Sequence, residues 1–134
     1  MPGIYMASKS AHGPRWRALR ATGLPIVSTW IDESGPGETR SYEDLWCRNV
    51  AEASGAAVLI AYREPGETMK GALVEIGAAL AHEVPVLWVG DEDGYTVMRH
   101  SGVSYPYATL EEALLRAKQI LLRSGAGQGE GGGG

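Results

Sequence analysis

Glu75 stands in the middle of "GALVEIGAALAHEVPVLWVG" (residues 71–90), and the positions one turn away on either side are Gly71, Ala72, Ala78 and Ala79. None of them can pair with a carboxylate. A solvent-facing helix is ordinarily supported by long polar side chains three and four residues apart, so this acid sits on a bare surface. A glycine inside a helix also costs roughly 1 kcal/mol against alanine, which argues that something approaches Gly71 closely. Two readings stand open from the residues themselves. Glu75 is either an unpaired acid presented to a ligand or to a second subunit, or an exposed residue on an alanine-rich helix.

Other residues of chemical interest collect in loops. "SKSAHG" follows the first apolar run, and Ser8, Lys9 and Ser10 offer hydroxyls and a positive charge ahead of a helix start, where free backbone N–H groups favour anions. That is a phosphate cradle in principle, although the Walker spacing is absent and a plain solvated loop has the same composition. Trp30, at the end of the second run, is placed to stack on a base or simply to fill the core. "DEDG" at 91–94 resembles the opening of a calcium loop but has no Glu at its twelfth position, and reads as an acidic turn. His12, His82 and His100 lack ligand spacing, and with one cysteine, Cys47, no Cys and His metal cluster is expected.

The elements that must carry these residues follow from hydrophobic periodicity. Short bulky or β-branched runs alternate with helix-period stretches, the pattern of a parallel sheet with crossover helices. Strands are predicted near 3–7, 25–30, 56–61 and 85–89, with a weaker fifth near 103–107 that Pro106 confines to an edge or a bend. Pro14 suits the first turn of a helix over about 14–22. Ser41 with Asp44, and Thr109 with Glu112, have capping-box spacing. A helix over about 69–82 has Met69, Leu73, Ile76 and Leu80 as its sheet-facing stripe, which leaves Glu75 well off that stripe. The last helix puts Leu110, Ala113, Leu114, Ala117, Ile120 and Leu121 on one face. The predicted fold is a single α/β domain over 1–124, a doubly wound, Rossmann-like sheet of about five mainly parallel strands with helices on both faces. Residues 125–134, "GAGQGEGGGG", are expected to form a disordered tail. Its G-x-G-x-x-G match has no strand before it and is a decoy. In such a sheet the ligand crevice lies outside the carboxyl ends of the strands. That singles out the loops "SKSAHG", "WIDESG", "YREPGETMKG" and "GDEDGY".

Composition narrows the partners. At 134 residues and 44% hydrophobic content the chain supports one core. A net charge of -4 argues against a general nucleic-acid binder. Neither a secretory leader nor a run of about 18 apolar residues is present, so no membrane partner and a cytoplasmic location are expected.

Three stretches resemble the nucleoside 2-deoxyribosyltransferase superfamily, including its relatives that hydrolyse the N-glycosidic bond of nucleoside monophosphates and its small phage members. They are "IYMAS", "EASGAAVLIAY" and "GALVEIGAALAHEVPVLWVG", within residues 3–90. The resemblance implies a homodimer or larger homo-oligomer acting on a small nucleoside or nucleotide without cofactor or metal. It makes Glu75 the nucleophile that forms a covalent glycosyl-enzyme, Tyr5 its positioning residue, and Ser8 to Ser10 the binders of a 5'-phosphate. Two departures stand out. The family's Asp before the third strand, which handles the leaving base, is missing: Asp44 lies too early, and Arg48 and Asn49 sit nearer the expected place. Asn49 can hydrogen-bond a base but cannot transfer a proton, so Asp32 in "TWIDE" is the substitute expected for that task. The loop "REPGETMKG" also lacks the family's Asp-Ser-Gly. A chain without that acid is also consistent with a non-catalytic nucleotide-binding or sensing protein on the same fold, and the small-residue face with a dimer seam.

Overall fold

The computed structural model describes residues 2–123 in full and carries the backbone of the last helix on to Gly133; the predicted disordered tail, 125–134, falls outside the fully described residues. Four strands, β1 (Ile4–Ala7), β2 (Val58–Tyr62), β3 (Val86–Val89) and β4 (Val103–Tyr107), form one parallel sheet in that spatial order. Four α-helices accompany them: α1 (Gly13–Ala21), α2 (Tyr42–Gly55), α3 (Gly71–Ala81) and α4 (Leu110–Gly133). Every residue of β1, β2 and β3 is buried, which explains why these strands read as continuous apolar runs and not as alternating ones.

The sheet has four strands where five are predicted. The missing one is 25–30, which keeps only a single parallel bridge, Ile26 to Ile4, with backbone bonds Ile4 N to Pro25 O (2.9 Å) and Val27 N to Ile4 O (2.9 Å). Beyond it, side chains take over the outer edge of β1. Met6 N donates to Ser28 Oγ at 3.1 Å, and Trp30 Nε1 donates to Met6 O at 2.9 Å. With that edge satisfied, the chain turns into the short 3₁₀ segment Thr29–Glu33. The residual bridge still places this segment outside β1, so the chain moves outward from β1 and then crosses back to β2. The order reverses between β1 and β2, and the crevice of a doubly wound sheet opens there.

Both faces of the sheet are covered. Tyr5 pairs in register with Leu59, so Tyr62, an odd number of residues further on, points to the opposite face. Tyr5 meets α3, whereas Tyr62 packs edge-on against Trp16 of α1, ring centroids 5.2 Å apart. Helix α3 packs on β1, β2 and β3 and is itself covered by α2, while α4 lies on β2, β3 and β4. The predicted stripe of α4 is buried at Leu110, Ala113, Leu114 and Ala117. The hydroxyl half of each capping box forms: Ser41 Oγ accepts from Asp44 N at 3.2 Å, and Thr109 Oγ1 from Glu112 N at 3.2 Å, while the Asp44 carboxylate turns to Arg48. Strand β4 is the edge strand that Pro106 allows. Between Leu87 and Val89 its register slips, the three β3 residues Leu87 to Val89 facing four from Ser104 to Tyr107. No described helix is long and apolar enough to cross a membrane.

Candidate active site

Helix α3 begins at Gly71, so this glycine is its first residue and not an interior one, and the expected mid-helix cost does not arise. What approaches it is Trp46 of α2. A Cβ built on Gly71 would lie 2.7 Å from Trp46 Cη2. The buried arc of α3 is Ala72, Glu75, Ile76 and Ala79, with Leu73 and Leu80 only half-buried. The arc is rotated from the predicted stripe because α3 is sandwiched, with the sheet on one side and α2 on the other. Small residues are required where two helices meet this closely, and the sandwich carries Glu75 inside. Gly71→Ala is expected to lift the Trp46 indole off α3 at a cost of about 1 kcal/mol. Trp46 is 36% exposed and Trp16, Trp30 and Trp88 are buried, so acrylamide quenching of tryptophan fluorescence should rise in that variant.

Glu75 is 5% exposed and makes no ion pair among the described residues. Asn49 Nδ2 of α2 donates to its Oε2 at 3.3 Å. The Tyr5 hydroxyl lies close enough to favour the carboxylate form, yet its geometry falls short of a formed hydrogen bond. Burial pushes the Glu75 carboxyl up to about 8, against the opposing pull of Tyr5 and Asn49 and with a further push from the Glu52 carboxylate. Burial, reinforced by Glu75 and Glu52, likewise raises the Tyr5 hydroxyl far above its ordinary value, so it stays a neutral donor. Among the described residues two buried side-chain atoms lack any hydrogen-bond partner, Tyr5 Oη and Asn49 Oδ1, and both belong to the residues flanking Glu75. Unpaired buried polar atoms cost about 1–3 kcal/mol each and are expected where a ligand completes the bonding.

Glu75 and Asn49 form part of the wall of a cleft of about 950 Å³ at the β1–β2 switch point, a volume that suits a small-molecule ligand. The first loop enters it through Ser8, Lys9 and Ser10, the second through Trp30 and the turn Glu33–Gly37, and the third through Thr68, Met69 and Lys70, ahead of Gly71. The fourth loop, "GDEDGY", stays out. It touches a separate hollow of about 350 Å³ through Gly90 and Asp91.

Seven of the nine residues singled out from sequence, Ser8, Lys9, Ser10, Trp30, Asn49, Gly71 and Glu75, therefore share one cavity, with Tyr5 buried behind it. Two of them carry structural duties as well. Ser8 Oγ accepts from Trp16 Nε1 at 2.8 Å, and the Trp30 N–H is committed to Met6. Asp32 does not reach the cavity. It forms a two-pronged pair with Arg20, at 2.7 and 3.0 Å, on the flank of α1, and that guanidinium holds its carboxyl below the usual range. The neighbouring Glu33 faces the cavity instead, its carboxylate held by Arg48. Sequence reasoning missed Glu33 because composition brings the loop to the crevice without saying which of two adjacent acids its 3₁₀ turn directs inward. Arg48 in turn bonds Asp44 Oδ2 at 2.8 Å and Thr29 Oγ1 at 2.9 Å, so it braces the turn against α2.

One cluster brings together residues that the sequence keeps apart: the donor atoms of His12, Glu64 and Glu67 lie within 4.8 Å of one another. Each already has a partner. His12 Nε2 meets Glu67 Oε2 at 2.8 Å, and Glu64 Oε2 accepts from Tyr62 Oη (2.6 Å) and Arg15 Nη1 (3.2 Å). The Arg15 guanidinium supplies the positive charge there, and the arrangement ties α1 to the end of β2.

The fold is similar to that of the Clostridium botulinum CMP N-glycosidase BcmB, with a TM-score of 0.56 and 16% sequence identity over 87% of this chain and 98% of that one. The α/β fold implied by the superfamily resemblance is thus the one found. No protein-family model matches the chain, and no curated protein matches it in sequence.

Proposed function

We propose that the protein cleaves the N-glycosidic bond of a nucleoside 5'-monophosphate, with Glu75 as nucleophile. The observation that carries this reading is a buried carboxylate, without an ion pair among the described residues, in the wall of a nucleotide-sized cleft at the switch point of a fold similar to that of an N-glycosidase. An Oε of Glu75 attacks C1' of the sugar as the C1'–N bond breaks and its electron pair leaves with the base. A glycosyl ester forms, and water, or a second base in a transferase, then releases the sugar. The neutral Tyr5 hydroxyl orients the carboxylate. Lys9 and Ser10 at the cavity rim, with Lys70 ahead of α3, suit a 5'-phosphate. Among the described residues the acids lining the cleft are Glu75 and Glu33; Glu33, paired with Arg48, takes the place of Asp32 beside the base as a hydrogen-bond acceptor, and the proton for the departing base comes from water.

A homodimer fits the same surface. Tyr42, Trp46 and Val50 make an exposed apolar line along α2, joined by Val74 of α3, and two of these residues, Tyr42 and Trp46, also line the cleft.

The test is incubation with a panel of nucleosides and their 5'-monophosphates, with and without an acceptor base, followed by chromatography for free base. Base is expected from a monophosphate and at least about tenfold more slowly from the nucleoside that lacks the charged contacts. Monophosphates that bind and are recovered intact would instead favour a non-catalytic nucleotide sensor.

A further inference from the structure

Asn49 occupies a position whose chemistry depends on which side of the sugar it lies. Its Nδ2 donates to Glu75 at 3.3 Å, so it stands beside the nucleophile. In a β-nucleotide the base leaves from one face of the ring while the nucleophile attacks C1' from the other. Asn49 is therefore on the face away from the base. The 2'-hydroxyl of a ribose is on that same attacked face, carried by the carbon bonded to C1'. Asn49 Oδ1 is buried, without a partner, in a residue that forms part of the cleft wall. A buried amide oxygen lacking a donor is completed by a hydroxyl, and a 2'-deoxy sugar has none to offer.

We propose that Asn49 reads the 2'-hydroxyl of the substrate and makes the enzyme selective for ribonucleotides over 2'-deoxyribonucleotides. The inference rests on Glu75 being the nucleophile, since that fixes the face on which Asn49 stands. Hydrogen bonds to the hydroxyl next to the reacting carbon strengthen as the oxocarbenium ion develops, so the preference is carried mainly in kcat.

The experiment compares kcat and KM for a ribonucleoside 5'-monophosphate and its 2'-deoxy counterpart, in the wild type and in Asn49→Leu and Asn49→Ala. The wild type is expected to favour the ribonucleotide by at least about tenfold, the worth of one hydrogen bond to a buried group. Both variants should bring that ratio close to one, chiefly by slowing the ribonucleotide. Equal turnover of the two sugars by the wild type, or a preference for the deoxy sugar, overturns the inference and leaves the glycosidase reading intact. That comparison needs no variant to fold. An undiminished ratio in a folded variant also overturns it. Release of base from neither sugar overturns both readings.

Discussion

Glu75→Gln is expected to slow base release by on the order of 10⁴-fold or more, the scale on which loss of a covalent nucleophile is felt when nothing nearby replaces it. Gln preserves the shape and keeps an oxygen for Asn49 Nδ2, which donates to Glu75 at 3.3 Å, so the cleft should still bind its ligand. It cannot form the glycosyl ester. The variant should also remain folded, because among the described residues the wild-type side chain makes no ion pair whose loss would strand a buried partner. Steady-state base release and ligand binding, measured side by side, separate the two effects. Binding retained with turnover lost supports the nucleophile. Full turnover in a folded Glu75→Gln protein would remove Glu75 from the chemistry and, with it, the reading of Asn49.

The small residues around Glu75 illustrate what a sequence can and cannot display. Their spacing signals correctly that a surface approaches α3 closely, but not which surface. Part of the answer is internal: Trp46 covers Gly71, and α2 packs along the buried arc containing Ala72 and Ala79. Periodicity describes a helix against one partner. A helix pressed between a sheet and another helix has two buried sides, so Glu75 looks exposed on a helical wheel while being 5% exposed in the fold. The absent fifth strand has a similar origin. "PIVSTW" has strand composition, yet strand formation depends on which groups satisfy the edge of β1, and there Ser28 Oγ and the Trp30 indole do so from side chains. The central strands, fully buried on both faces, are legible because burial on both faces leaves a continuous apolar run.

The candidate site was legible to the extent that it is a property of the fold. Loops at carboxyl ends of parallel strands meet at the switch point, which is enough to bring Ser8 to Ser10, Trp30 and Glu75 to one cavity. That Glu33 and not Asp32 faces the cleft is visible only in the backbone. The two are adjacent, and a 3₁₀ turn sends one to Arg20 and the other into the cleft.

Glu75 also ties activity and stability to one titration, in opposite directions. Its carboxyl sits at about 8 in the fold, against 4.5 as the ordinary value, chiefly because burial penalises the charge. The attacking form is the carboxylate, so kcat/KM should climb by about 50-fold between pH 6 and pH 8 and level off above pH 9. For stability the sign is reversed. Between 4.5 and 8 the native state holds a proton that the unfolded chain releases. The group's contribution is therefore complete below 4.5 and is lost as pH rises through 8, up to about 5 kcal/mol by linkage. Glu75→Gln has no charge to desolvate. Its melting temperature should match the wild type near pH 4.5 and exceed it by a margin that widens up to about pH 9. Activity that is flat from pH 6 to 8, or a melting difference that does not grow with pH, would mean that the Glu75 charge is not paid for by burial. In that case the cleft is wetter than its geometry implies. Both curves rising together places the nucleophile where the fold places it: ionised only at a cost to the native state, and reactive because of that cost.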